Sequence, residues 1–76
     1  MSNWNNGYDV SSTKIAADID LWITGRNATR DREVLKRRLI DGIKFEDLAA
    51  EFGLSVYGVK QIVYKRSAQL FRHVSY

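Results

Sequence analysis

The sequence predicts a small all-α domain built from four helices. Apolar residues recur at spacings of three and four in four separate stretches, and no proline interrupts any of them. Its 76 residues, 45% of them hydrophobic, suffice for one domain close to the lower size limit for a packed core. We expect that domain over residues 11–76, preceded by a flexible N-terminal arm over residues 1–10, which are rich in Asn and Gly.

The first predicted helix covers about residues 13–24. Ser11 or Ser12 can cap its N-terminus, and Gly25 can end it. Its apolar residues fall at positions i, i+4, i+7 and i+8, which places them on one face. They are Ile15, Ile19, Trp22 and Ile23.

The second predicted helix covers about residues 30–41. Asn27 or Thr29 can cap it, and Gly42 fits the position just after its end. Acidic residues in the first turn and basic residues in the last turns suit the helix dipole. The expected buried stripe consists of Val34, Leu35, Leu39 and Ile40.

Two further helices, over residues 45–52 and about 56–72, have the spacing of a helix-turn-helix within residues 45–64. Such a pair needs a small residue where the helices touch and a residue free to adopt positive φ in the turn. Ala49 and Gly53 occupy these two positions, and Ser55 can cap the last helix. The apolar residues expected between the two helices are Leu48, Phe52, Leu54, Val59 and Ile62.

Positive charge is concentrated in two segments. Residues 26–38 and residues 53–76 each carry a net +4, whereas residues 1–25 carry −2 and residues 39–52 carry −3. Such clusters are either solvated helix faces or nucleic-acid contacts. Because one of them coincides with the predicted second helix of a helix-turn-helix, we expect DNA binding.

Four short runs carry a family resemblance. The runs are Arg32-Glu33-Val34-Leu35, Phe45-Glu46-Asp47-Leu48-Ala49, Ser55-Val56-Tyr57-Gly58-Val59-Lys60-Gln61-Ile62 and Leu70-Phe71-Arg72-His73. Together they resemble region four of bacterial sigma factors, which reads the minus-35 promoter element. The likeness covers residues 30–74, and Val-Lys-Gln-Ile is its most specific part. The resemblance implies that Lys60 and Gln61 face the major groove, with helix two and the start of helix three on the phosphates.

The chain also departs from that family. Primary sigma factors have charged residues where this chain has Val56, Tyr57 and Gly58, so the promoter sequence they read does not carry over. Within these 76 residues we expect no domain that melts the promoter and binds the polymerase clamp. The resemblance therefore favours a stand-alone sigma-like regulator of transcription from bacteria, a phage or a mobile element.

Individual side chains can be assigned to each kind of DNA contact. Gln61 can pair bidentately with adenine and Lys60 can donate to guanine. Ser55 is either an N-cap or a contact, and Tyr57 and Tyr64 either contact bases or pack on the core. The expected base contacts are Ser55, Tyr57, Lys60, Gln61 and Tyr64; the expected phosphate contacts are Arg30, Arg37, Arg38, Lys44, Lys65 and Arg66, with Arg72 near the end of the helix.

Gly58 lies in the first turns of the last helix, where glycine is less stabilising than alanine. Either a close approach to a DNA backbone or a tolerated surface glycine explains it.

Several function classes are disfavoured. The chain has no Cys, its one His is His73, and Asp18 and Asp20 face different ways on a helix, so we expect no enzyme, metal, cofactor or small-molecule substrate. The sequence lacks a membrane-spanning run or a signal pattern, which predicts a cytoplasmic protein.

The expected partners are double-stranded DNA, RNA polymerase and a second copy of the chain. The apolar face of helix one is either the lid of the core or a surface that contacts one of the two protein partners. The alternative function is a protein-interaction module with the same fold that docks on RNA polymerase, an anti-sigma protein or another regulator.

Overall fold

The computed structural model describes residues 11–75, and within that range the chain forms four α-helices and no strand. They are α1 (Ser12–Trp22), α2 (Ala28–Leu39), α3 (Phe45–Phe52) and α4 (Val56–Phe71). The predicted all-α, four-helix fold is confirmed, and helix ends differ from prediction by at most two residues. The expected N-terminal arm, residues 1–10, lies outside the described residues. From residue 11 to residue 75, no helix has both the length and the apolar character needed to cross a membrane.

Serine side chains begin two of the helices. Ser11 Oγ accepts a hydrogen bond from the Lys14 N–H at 3.1 Å, and Ser55 Oγ accepts one from the Gly58 N–H at 2.9 Å. Asn27 stands at the N-cap of α2 with a left-handed φ of 61° and makes no side-chain cap bond. Because α2 starts at Ala28, Thr29 lies inside the helix rather than capping it.

The core takes buried side chains from all four helices, and α4 packs against each of the other three. Ile19, Val34, Leu48 and Val59 are completely buried, as the apolar spacing predicts. The other buried core residues are Ile23, Leu35, Ala49, Val63 and Leu70.

Two predicted core residues of α2 do not join this core. Leu39 is exposed and Ile40 is only half-buried, and neither packs on the buried cluster. Helix α2 ends at Leu39, two residues before its predicted end, and Ile40 is its C-cap. Ile43 of the following segment packs against the core.

The apolar face of α1 forms the lid of this core. Ile19 and Ile23 are fully buried, and Ile15 and Trp22 pack against the buried cluster. The Trp22 ring also stacks on His73 with ring centroids 3.9 Å apart and nearly parallel planes. Of the two roles expected for this face, packing within the chain is therefore the one observed.

A buried arginine connects α4 to the rest of the molecule. Arg66 is 8% exposed, and its Nε donates to Asp31 Oδ2 at 2.7 Å. Nη1 donates to the Thr24 carbonyl and to Gln69 Oε1, and Nη2 donates to the Arg26 carbonyl at 2.9 Å. The prediction that Arg66 contacts phosphate is therefore wrong, because its guanidinium is enclosed and already hydrogen-bonded within the fold.

The arginine's partners extend the connection to α1 and α2. Asp31 is 5% exposed, and its second oxygen accepts from Arg30 Nε at 3.1 Å. Gln69, which accepts from Arg66, donates to the carbonyl of Trp22 at the end of α1. A buried ion pair is tolerated only when its remaining polar atoms are also hydrogen-bonded, and these additional bonds meet that requirement.

We expect Arg66→Ala to lower the free energy of unfolding by about 3–5 kcal/mol, because Asp31 loses its buried partner. Arg66→Lys should lose part of that amount, since an ammonium cannot reproduce the planar fork of donors. Urea denaturation followed by circular dichroism at 222 nm measures both. The matched control is Lys65→Ala, one residue earlier and exposed, with an expected change within about 0.5 kcal/mol. Equal stability of the Arg66→Ala and Lys65→Ala variants would contradict the assignment.

Candidate nucleic-acid interface

A three-residue turn of Gly53, Leu54 and Ser55 joins α3 to α4. Gly53 adopts a left-handed φ of 67°, and the Leu54 N–H donates to the Ala49 carbonyl at 2.9 Å. Ala49 is buried at the contact, as expected for a small residue there. The five apolar residues predicted to lie between the helices are all buried or half-buried against the core. The identification of this pair as a DNA-binding helix-turn-helix stays a prediction.

The outer surface of α4 presents four of the five predicted base contacts together. Tyr57, Lys60, Gln61 and Tyr64 stand at positions i, i+3, i+4 and i+7, which share one helix face. Tyr57 is 71% exposed and Tyr64 59%, and Gln61 is also exposed. With Lys65, which is exposed beside Gln61, these residues are called the α4 face below. This surface is directed away from the core.

Ser55, the fifth predicted base contact, is the N-cap of α4. Its Oγ accepts from the Gly58 N–H, so the cap is the role that the structure shows. A Cβ on Gly58 would lie 3.2 Å from this same oxygen, closer than an ordinary van der Waals contact. The cap therefore supplies a local reason for glycine that sequence reasoning did not consider.

An aromatic and cationic cluster borders one side of the α4 face. The Arg38 guanidinium lies 4.2 Å from the centroid of the Phe45 ring, and Lys60 Nζ lies 5.6 Å from it. Tyr64 meets the same ring edge-on at 6.3 Å. Cation–π attraction thus holds two positive charges next to the helix. Arg38 also donates to the Ile43 carbonyl at 3.0 Å, which further restricts its position.

A basic cavity borders the opposite side of the α4 face, between α4 and the N-terminal end of α2. It has a volume of about 370 Å³ and is called the α2–α4 cavity below. Its lining consists of Arg26, Asn27, Arg30, Asp31, Gln61, Ile62, Lys65 and Arg66. The structure thus brings together Gln61, Lys65 and Arg30, which sequence reasoning assigned separately to base and phosphate contacts.

Arg26 was not among the predicted contacts. It follows Gly25 in the loop before α2, in the basic segment of residues 26–38. The positive charge of residues 26–38 was the sequence feature that could have indicated Arg26 as a contact. The position of Arg26 opposite α4 depends on tertiary packing and could not be inferred from spacing.

The remaining predicted phosphate contacts differ in how far their charge is already compensated. Arg37 bonds to Glu51 at 2.8 Å and lies 3.6 Å from Asp41, and the hydrogen bond and charge of Glu51 raise the pKa of Arg37 above its ordinary value. Its charge is therefore directed towards acids of the same chain. Lys44, at the N-cap position of α3, and Arg72, at the end of α4, are both exposed.

No protein-family model matches this chain, and no curated protein or solved structure shows significant similarity to it.

Replacing Ser55 by Ala should lower the free energy of unfolding by about 1 kcal/mol, because the Gly58 N–H loses its acceptor. Ser55→Asp should retain most of the stability, since a carboxylate at the N-cap accepts the same bond and suits the helix dipole. Chemical denaturation of the three proteins is the measurement. A Ser55→Ala variant as stable as the parent would show that the cap contributes little.

Proposed function

We propose that this chain is a sequence-specific DNA-binding protein, a sigma-like regulator of transcription that inserts the N-terminal half of α4 into the major groove. The observation that carries the proposal is the α4 face, with exposed polar and aromatic side chains along the helix and cations on both sides. The major groove is about 12 Å wide and admits one helix, while the two phosphate backbones form its rims. A reading surface between two positive borders matches that arrangement.

Base recognition is assigned to the centre of the α4 face. Gln61 is exposed and carries an amide that can donate to and accept from one adenine. Lys60 can donate to guanine, and its ammonium is kept near the helix by the Phe45 ring. Tyr57 extends from the first turn of α4, the part of a recognition helix that commonly contacts base edges.

Phosphate contacts are assigned to Lys65, at the edge of the α4 face, and to the cations that border this face. Arg38 lies on the side of Phe45, and Lys65, Arg30 and Arg26 lie on the side of the α2–α4 cavity. Exposed acids on α3, Glu46, Asp47 and Glu51, oppose phosphate. The footprint is therefore confined to the α4 face and its borders.

A second attachment is part of the proposal. A single module of this size buries roughly 600–1,000 Å² on DNA, which seldom gives tight specific binding alone at physiological salt. The resemblance to region four of sigma factors suggests RNA polymerase as the additional partner, and a second copy of the chain would serve the same purpose.

Binding to a random-sequence duplex should weaken steeply with salt. If about four cations contact phosphate, the slope of log K against log salt concentration should be about −3.6. Fluorescence anisotropy of a labelled duplex across a salt series measures it. A duplex that fails to bind at low salt would contradict the proposal.

Gln61→Ala should reduce discrimination at one base pair by about 1–3 kcal/mol, because the bidentate contact is lost. Lys65→Ala should instead weaken all sequences alike, as expected of a phosphate contact. A duplex selected from a random pool, together with its single-base variants, provides the measurement. Lys14→Ala, on α1, is the control for loss of a positive charge, and its circular dichroism is compared with that of the parent because Lys14 pairs with the buried Asp18. Uniform weakening by both Gln61→Ala and Lys65→Ala would contradict the assigned roles.

A second candidate function, docking of a partner protein on this same face, has one observation in its favour. Tyr57, Tyr64 and Phe71 follow one another at seven-residue spacing along α4 and are 71%, 59% and 51% exposed. Exposed aromatic rows are typical of protein contacts. RNA polymerase, an anti-sigma protein or another regulator would then cover the face.

An electrophoretic shift assay with random duplex at low salt separates the two functions. DNA binding predicts retardation that disappears as salt is added, since the contacts are largely ionic. Protein docking predicts no retardation at any salt concentration. Tyr57→Ser is a second variant, which tests whether the α4 face is the binding surface. Loss of this exposed ring should weaken binding of DNA or of a partner protein while the core is left intact.

A further inference from the structure

The α2–α4 cavity concentrates positive charge in a cleft that is partly open to solvent. Four cationic side chains line it, Arg26, Arg30, Lys65 and Arg66, against the single carboxylate of Asp31. Its volume of about 370 Å³ lies at the lower end of the range for ligand pockets, large enough for a phosphate group with its attached sugar. The cavity is therefore suited in size and charge to a phosphorylated ligand.

The carboxylate in the lining is already neutralised by two neighbours. One Asp31 oxygen lies 3.0 Å from Arg30 Nη2, and the other accepts from Arg66 Nε at 2.7 Å. Arg26 and Lys65 take part in no ion pair among residues 11–75. Their two charges remain available to an anion, one from the loop before α2 and one from α4.

The remaining lining supports a ligand of the same kind. The N-terminal end of α2, which carries the positive end of the helix dipole, opens at the cavity, and Asn27 makes no side-chain cap bond there. The Gln61 amide and the aliphatic Ile62 complete the wall on α4. These features add to the cationic cavity, which is the principal observation.

We propose that the α2–α4 cavity is a phosphate-binding site. Arg26 and Lys65 hold the phosphate group from opposite sides, and Arg30 donates from α2. A phosphate presents several acceptor oxygens in different directions, which suits cations that approach from two elements. Arg66 is a positioning residue, because its bonds to Asp31 and to the Arg26 carbonyl maintain the cavity wall.

Two sources can supply this phosphate. One is the backbone of a bound duplex, and in that form the inference rests on the proposed function. Gln61 belongs both to the cavity and to the α4 face, so a backbone phosphate here would flank the base pair that Gln61 reads. The other source is a free phosphate compound, which requires no DNA binding.

The first experiment titrates inorganic pyrophosphate into the protein and follows backbone amide shifts by NMR. We expect saturable shifts confined to residues 26–31 and 61–66. Arg26→Ala and Lys65→Ala should each weaken binding about fivefold, through loss of one charge-assisted contact. Lys14→Ala should bind as the parent does. Shifts that do not saturate, or that sodium chloride at equal ionic strength reproduces, would overturn the site.

The Arg26 variant also tests the cavity without breaking the fold. Arg66 bonds to the backbone carbonyl of residue 26 rather than to its side chain, so Arg26→Ala preserves that bond. Circular dichroism of Arg26→Ala should match the parent. An unfolded Arg26→Ala variant would show that the side chain is structural and would overturn its assignment as a ligand contact.

The second experiment repeats the comparison with a labelled duplex and with pyrophosphate as competitor. Weaker duplex binding by Arg26→Ala and Lys65→Ala, with displacement by pyrophosphate, supports the site and identifies the backbone as the source. Saturable pyrophosphate binding without any duplex binding supports the site with a free ligand, while the proposed function fails. Duplex binding unchanged by Arg26→Ala, with no saturable pyrophosphate binding, overturns the site and leaves the proposed function standing.

Discussion

The ion pair between Arg66 and Asp31 is the constraint on which the arrangement of this small domain depends. Both side chains are buried, and removing two charges from water is costly unless every remaining polar atom finds a partner. Arg66 meets that demand by bonding to carbonyls of the loop between α1 and α2 and to Gln69. Hydrophobic contacts are non-directional, whereas the hydrogen bonds of the Arg66 guanidinium require a defined geometry. They join α4 to α2 through Asp31 and to the loop between α1 and α2.

The orientation of α4 determines what the molecule presents to a partner. With Arg66 directed inward, the neighbouring Lys65 and the Gln61 one turn earlier face solvent. The same packing places Arg38 and Phe45 on one side of the α4 face, and Arg26 and Arg30 on the other side. Two segments of positive charge that are separated along the chain by acidic α3 thus become adjacent in space. The proposed DNA contact and the proposed phosphate site both follow from this convergence.

Much of the fold could be predicted from the sequence, because helix formation and amphipathicity are local properties. The spacing of Ile19, Val34, Leu48 and Val59 predicted which faces are buried, and α3 was predicted with its observed ends. Ser55 was correctly considered as a cap, since a cap bond spans only three residues. Leu39 was assigned to the core wrongly, because helical spacing does not specify whether another element covers a given position, and Ile43 packs against the core instead.

By itself, the sequence determined four amphipathic helices, their approximate ends and a close turn at Gly53, because each depends on neighbours within one or two helical turns. Only the tertiary structure decided which cationic side chains remain available to bind an anion. Arg66 resembles Lys65 in the sequence, yet its partner Asp31 is 35 positions away and its other acceptors are loop carbonyls. Arg26 is brought opposite α4 by the same packing. A charge's role depends on what surrounds it in space, and spacing along the chain does not specify that environment.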